Sequence, residues 1–225
     1  MLVRVLILSL LPVLARADPA LRAIAWDDLI ATPHRVIRFD DLPARPEPGH
    51  VIDAPLRAPG LWMGEALQGQ ITRARDGFDG LSGAPLMPLA VRAGAPGQSL
   101  AIALHRGFGS MAVFPLGPAG AQARDGRGEG SAALVFDVPQ VVFGLKLHAE
   151  YADPLGRAAD PGTVTLTFYD AEGVRLARQV LRPGPDVIPL AWTTRHPVAA
   201  LTIETTDPGG IALDDVVIQT EEKTG

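Results

Sequence analysis

Thr163-Val164-Thr165-Leu166-Thr167-Phe168-Tyr169 alternates strictly, with Val164, Leu166 and Phe168 on one face and the threonines on the other. A period of two in β-branched and aromatic residues marks a strand with one face turned to a core. Asp170-Ala171-Glu172-Gly173 follows as a turn sequence, and residues 174–181 return as a second strand. The pair is a β-hairpin.

Working outward from it, short runs rich in Val, Ile, Leu, Thr and Phe recur between Gly and Pro punctuation. They predict strands over 36–39, 86–91, 100–104, 133–138, 141–147, 187–192, 199–204 and 211–218. Pro139 falls between two of these runs and reads as an edge or turn. With 24 Gly and 21 Pro breaking the chain at roughly ten-residue spacing, the expectation is an all-β, antiparallel sandwich. Trp192 and Phe168 are assigned to its core. Residues 43–60, rich in proline, and 117–130, rich in glycine, read as long loops, the second the more mobile.

The N-terminus reads as a removable export signal. Arg4 precedes an apolar stretch over 5–14, and Ala15-Arg16-Ala17 offers the small-x-small pattern of a signal-peptidase site. The stretch is shorter than the ~20 apolar residues that span a bilayer. The organisation expected is therefore a signal peptide over 1–17, an arm or short helix over 18–34, a β-sandwich over 35–219 and a tail over 220–225. Leu21, Ile24, Ala25 and Leu29 would share one face of that helix. The localisation expected is secreted, periplasmic or extracellular.

Losing 1–17 removes Arg4 and Arg16 and no acid, so the net charge of −5 moves two units further negative. That excludes a nucleic-acid footprint, and no basic amphipathic stretch suits a membrane surface. The absence of cysteine removes disulfides, thiol nucleophiles and thiolate metal sites from consideration.

Two acid pairs stand out. In the closing run, Ile211 and Leu213 are odd-numbered but Val216 and Ile218 are even-numbered. The phase slips at Asp214-Asp215, which predicts a β-bulge or strand break. Phe39 and Leu42 show the same slip across Asp40-Asp41. If the first and last strands lie side by side, the four acids Asp40, Asp41, Asp214 and Asp215 approach one another. Their mutual repulsion then calls for a cation, and Ca²⁺ suits hard oxygen donors in flexible geometry. The other reading gives each pair one buried, hydrogen-bonded acid and one solvated acid.

Several stretches together carry a resemblance. They are Ile37-Arg38-Phe39-Asp40-Asp41-Leu42-Pro43, Gly64-Glu65-Ala66-Leu67-Gln68-Gly69-Gln70, Leu81-Ser82-Gly83-Ala84-Pro85 and the close Thr206-Asp207-Pro208-Gly209-Gly210-Ile211-Ala212-Leu213-Asp214-Asp215-Val216. Over 35–219 the chain resembles exported bacterial jelly-roll sandwich proteins of the type that often carries a PEP-CTERM sorting anchor. That anchor has no counterpart before Gly225. The closing strand with its paired acid is also similar to galactose-binding-like and carbohydrate-binding modules. The resemblance implies a jelly roll and a structural calcium between first and last strands, held most directly by Asp40 and Asp214.

No catalytic constellation rises from the residues. The five histidines form no i, i+4 pair. Gly80-Leu81-Ser82-Gly83 is not a nucleophile elbow, and scattered acids such as Glu65, Glu129 and Glu150 carry no glycosidase spacing. Aromatic platforms are the remaining signal. Trp62, in a glycine-flanked segment without strand alternation, is a candidate sugar platform with Glu65 or Gln68 beside it; Tyr151 with Asp153 is a second. The alternative is that Trp62 caps the core. The reading is a non-catalytic module for extracellular glycan or cell-surface material. A secreted polysaccharide hydrolase or lyase and a structural component of an extracellular matrix are the alternatives.

Overall fold

The computed structural model describes residues 21–149 and 162–220. The segment 1–17, expected to be a leader, and Tyr151 with Asp153 lie outside them. In chain order the elements are β1 (Leu21–Ala23), α1 (Trp26–Ile30), β2 (His34–Ile37), β3 (His50–Ile52), β4 (Leu56–Ala58) and β5 (Leu61–Gly64). Then come β6 (Ala66–Leu67), β7 (Ile71–Arg75), β8 (Phe78–Ser82), β9 (Val91–Arg92), β10 (Leu100–His105) and β11 (Ser110–Pro115). The last five are β12 (Ala132–Ala149), β13 (Val164–Tyr169), β14 (Arg175–Leu181), β15 (Ile188–Thr205) and β16 (Ile211–Gln219).

Two long strands build the architecture. β12 and β15 run antiparallel along each other, Ala132 facing Ile203 at one end and Leu147 facing Ile188 at the other. Their outer partners change halfway. The first half of β12 pairs with β5, and the second half with β16. Likewise the first half of β15 pairs with β1 and the second half with β13. One layer is therefore β14-β13-β15-β12-β5-β4. The other runs β1-β15-β12-β16 and continues from β16 to β2 on one half and to β11-β10-β3 on the other. All pairings are antiparallel, and a single buried cluster draws on both layers, including Leu134, Phe168 and Leu201 from one and Leu213, Val216 and Ile102 from the other. The fold is an antiparallel β-sandwich whose corner is made by strands that pass from one sheet to the other.

The corner corrects one expectation. Residues 133–147 are not two strands parted by Pro139 but one strand, bulged where the ladder steps from Val135–Ala200 to Gln140–Val198. Five residue steps on β12 cover only two on β15. Proline gives up no ladder bond inside a bulge, and Pro197 occupies the matching corner of β15. Gln140, 4 % exposed, fixes the bulge: its amide donates to Val138 O (2.7 Å) and its Oε1 accepts the Gln219 N–H (2.8 Å).

The expected hairpin of β13 and β14 forms, with Leu166 opposite Gln179 and a register shift between Phe168 and Tyr169. The threonine face of β13 is not wet, however, since Thr165 and Thr167 are 8 % and 6 % exposed. Residues 64–92 lie over that face, and Leu67, Val91 and Tyr169 form a separate cluster there. The outer face of the second layer is covered as well. α1 places Leu29 against Ala191 and Val217, and Phe114, Leu116 and Ala121 close over Ala212.

Other expectations differ in detail. The N-terminal segment is a strand on β15 followed by a helix of only five residues, not a helix from its start. Residues 86–90 form no strand, because Met87-Pro88 and its neighbours bend away. Residues 43–60, read as loop, contain β3 and β4. The glycine-rich segment 117–130 is knitted in place by bonds such as Gly117 N–H to Gly126 O (2.9 Å) and Gly128 N–H to Pro115 O (2.8 Å). A Cβ on Gly126 would lie 2.1 Å from Gly120 O, so glycine here permits close packing of chain on chain.

Candidate functional site

β2, which leads into Asp40-Asp41, does lie beside the last strand β16, Val216 opposite Ile37. Between the pairs Gly144–Val217 and Lys146–Asp214 the ladder slips by one residue, the bulge that the phase change at Asp214-Asp215 predicted. Asp215 sits there in the left-handed region (φ 46°). Its Oδ1 accepts from Arg38 Nε (2.8 Å) and its Oδ2 from Lys146 Nζ (2.6 Å). Burial alone would raise this carboxyl, but the bonds and charges of Lys146 and Arg38 together hold it below the usual range.

Asp214, 1 % exposed, turns the other way. Its Oδ2 accepts the Ser110 hydroxyl at 2.5 Å, while Oδ1 has no partner among the described residues. Burial, with Asp215 and Asp40 adding repulsion against the Ser110 bond, pushes its pKa up to about 6. Asp40 Oδ1 accepts the Met111 N–H (2.8 Å), and Asp41 faces solvent. Asp40, Asp214 and Asp215 thus feel one another, and both neighbouring cations bond to Asp215. Among the described residues no three His, Asp or Glu side chains converge as metal ligands.

Trp62 lies on β5, which its glycine-flanked sequence hid. Strand alternation buries Leu61 and Met63 and turns Trp62 outward, 41 % exposed. The Arg57 guanidinium stands 5.2 Å from the indole centroid. Arg57 is itself fixed, donating to Ala58 O (2.6 Å), Leu61 O (2.9 Å) and Asp137 Oδ2 (2.6 Å). The indole is an open apolar plate on a rigid support. Neither Arg57 nor Asp137 was visible as its partner in sequence, since they come from β4 and from the β12 bulge.

Glu65 departs from the role expected beside it. The carboxylate is buried and accepts from Arg92 and from the Thr72 hydroxyl, tying β9 and β7 to the end of β5. Near it, Asp79 is pushed up to about 7, first by burial and then by the Glu65 charge. Glu129, 4 % exposed, also rises to about 7, chiefly through burial. All three acids are closed to a substrate by their burial, and Glu129 Oε2 has no hydrogen-bond partner among the described residues.

His105 and His148 meet edge to face with 4.5 Å between centroids, and Phe108 and Phe114 lie around His105. His105 Nδ1 accepts the N–H groups of Gly107 (3.1 Å) and Phe108 (3.3 Å). Burial, followed by the neighbouring His148, lowers its pKa to about 4. A neutral ring that caps a turn is a structural histidine.

A cleft of about 470 Å³ opens at the sandwich corner, lined by Pro139, Asp170, Ala171, Glu172, His196 and Pro197. Nothing in the local sequence announced it, because its walls come from three distant segments.

No protein-family model and no curated protein matches the chain. Among solved structures the chain is similar to a DUF4465 family protein from Bacteroides caccae, at 13 % identity over 89 % of this chain and 99 % of that one, with a TM-score of 0.39. It is also similar to a family 29 carbohydrate-binding module complexed with mannohexaose, at 11 % identity over 88 % and 92 % of the two chains (TM-score 0.34). A further structure of such a module aligns at 12 % identity over 54 % and 76 % (TM-score 0.33).

Proposed function

We propose that this chain is an exported, non-catalytic module that binds glycan, with Trp62 as its stacking platform. The observation that carries the reading is the indole itself: 41 % exposed on the outer face of a sheet and held by an anchored guanidinium. Trp192 and Phe168, by contrast, sit in the core at 2 % and 0 % exposure. A flat ring open to water suits the apolar face of a pyranose, with the Arg57 guanidinium over the indole and Asp137 bonded to it as neighbouring polar groups. Export follows from the leader over 1–17, which also makes extracellular polymers the available partners.

Affinity electrophoresis through gels containing soluble polysaccharides tests the reading. Wild type is expected to be retarded by at least one polymer, and Trp62→Ala to run as in a blank gel with an unchanged melting temperature. Equal retardation of both proteins would remove Trp62 from the site, and free migration of wild type in every gel would remove the glycan.

A further inference from the structure

We propose that the corner cleft is a second sugar subsite, one that accepts an uncharged or amino-substituted pyranose and rejects uronates and sulfated sugars. The proposal rests on the glycan reading of Trp62 and extends it to a substrate class.

The cleft is built rather than incidental. Each of its three walls is fixed by bonds of its own. The Pro139 wall is the β12 bulge, held by Gln140 to Val138 O and to the Gln219 N–H. The Asp170–Glu172 wall is the hairpin turn, where Asp170 Oδ1 accepts the N–H groups of Glu172 (3.0 Å) and Val174 (2.8 Å). The His196–Pro197 wall is the β15 corner, where Thr194 Oγ1 donates to His196 O (2.8 Å) and accepts the His196 N–H (3.1 Å). Ordering costs that would oppose binding are thus already met by the fold.

Chemistry selects the ligand. Pro139 and Pro197 present saturated rings, suited to the C–H face of a sugar. Among the described residues Glu172, the His196 imidazole and Asp170 Oδ2 make no hydrogen bond, so they are free to take hydroxyl or ammonium protons. Among the described residues no lysine or arginine lines the cleft, so an anionic sugar would meet the two carboxylates Asp170 and Glu172. A volume of about 470 Å³ lies in the usual range for small-ligand sites.

Position joins the cleft to the platform. Val135 faces Trp62 on one side and Ala200 on the other. Pro139 is four residues further along the same strand, at most about 14 Å of extended chain. Asp137, the anchor of Arg57, lies between them. The indole and the cleft are therefore separated by no more than the length of a short oligosaccharide.

The test uses the full chain in gels of hydroxyethylcellulose, glycol chitosan and polygalacturonate, with Trp62→Ala, Ala171→Trp and Glu172→Lys as variants. Wild type is expected to be retarded by one or both of the first two polymers and not by polygalacturonate. Ala171→Trp fills the cleft and should weaken retention about tenfold. Glu172→Lys should lose affinity for glycol chitosan and gain it for polygalacturonate, and this exposed position serves if Ala171→Trp misfolds. If Trp62→Ala abolishes retention while both cleft variants bind as wild type, the cleft proposal falls and the platform stands. If the cleft variants fail and Trp62→Ala binds normally, the platform falls and the cleft stands. Retention of wild type by polygalacturonate overturns the selectivity, and no retention in any gel overturns both.

Discussion

Arg38 Nε lies 2.8 Å from Asp215 Oδ1 across 177 residues of chain, and Lys146 reaches the other oxygen of the same carboxylate. One side chain thereby fastens β2, β12 and β16 at the bulge where the ladder slips. Asp215 serves a second purpose, because its short polar side chain tolerates the left-handed backbone there better than most.

Asp215→Ala is expected to cost about 1–2 kcal/mol, combining a lost pair of partly exposed ion contacts with backbone strain. Asp215→Asn keeps the backbone preference and should cost less. Urea titrations in low and high salt separate the two contributions. The Asn penalty should shrink with salt, whereas the extra loss in Ala should persist. A salt-independent Asn penalty would contradict the electrostatic part.

Stability should be greater near pH 5.5 than at pH 8. Asp79 and Glu129 rise from ordinary values of 3.8 and 4.5 to about 7, and Asp214 from 3.8 to about 6. Between about pH 4 and pH 7 the folded chain keeps protons that the unfolded chain has released, so stability falls as pH climbs through that window. His105 works in the opposite sense. Its fall from 6.5 to about 4 means the unfolded chain takes that proton first, and stability drops as pH falls from 6.5. Asp215, held low, also favours the higher pH. The raised acids, Asp207 among them, outweigh these two, so melting temperatures from pH 4.5 to 8.5 should be highest at the acid end and decline until about pH 7. Glu129→Gln should flatten the alkaline decline by on the order of 1–3 kcal/mol. A melting temperature that climbs steadily from pH 5.5 to 8 would contradict the assignment.

Where apolar and polar residue types alternate along a run, the strand was legible in the residues, even for β13, whose threonine face is covered. β13, β14 and the slip at Asp214-Asp215 all follow from parity alone. Parity fails where the residues of both faces are apolar. β11 is buried from Met111 to Pro115 and has no polar face to alternate with. The corner prolines misled for a different reason, since proline breaks a ladder locally but a bulge absorbs the break. Site legibility divides the same way. Trp62 could be suspected from its glycine neighbours, but Arg57, Asp137 and the walls of the cleft meet it only through sheet pairing. Glu65 was picked for nearness in sequence, and the side chain spends its charge on Arg92 instead.

That last pair allows a sharper prediction. Arg92→Ala would leave the Glu65 carboxylate buried with only Thr72 for a partner, and the cost of stranding such a charge is about 3–5 kcal/mol. Glu65→Gln alone should cost less, because a neutral amide still bonds Thr72. The double variant Glu65→Leu, Arg92→Met should recover most of the Arg92→Ala loss, since no charge then remains to desolvate. Equilibrium denaturation of the three variants checks this, and a double variant as unstable as Arg92→Ala would show that packing rather than charge dominates there.

Arg57 offers a test of whether the platform depends on its support. The chain has three tryptophans. Trp192 is closed within the aromatic core and donates to Gln179 Oε1 (2.9 Å). Trp26 has Lys146 Nζ 5.6 Å from its ring centroid and lies against the cluster around Leu29. Collisional quenching by acrylamide should therefore report mainly Trp62. Arg57→Ala removes the guanidinium from the indole and leaves Asp137 without its ion pair, so the ring gains freedom and accessible area. Quenching is expected to increase and to fall back on adding Trp62→Phe. Because the stacking surface itself survives, glycan retention should weaken by only about three- to tenfold, in keeping with a cation–π contact worth roughly 0.5–1 kcal/mol and some loss of preorganisation. Arg57→Lys keeps a cation but not the planar fork that bonds Ala58 O, Leu61 O and Asp137 together. It should fall between wild type and Arg57→Ala in both readouts. If Arg57→Ala leaves quenching unchanged, the guanidinium does not hold the ring, and the exposed indole stands on the sheet alone.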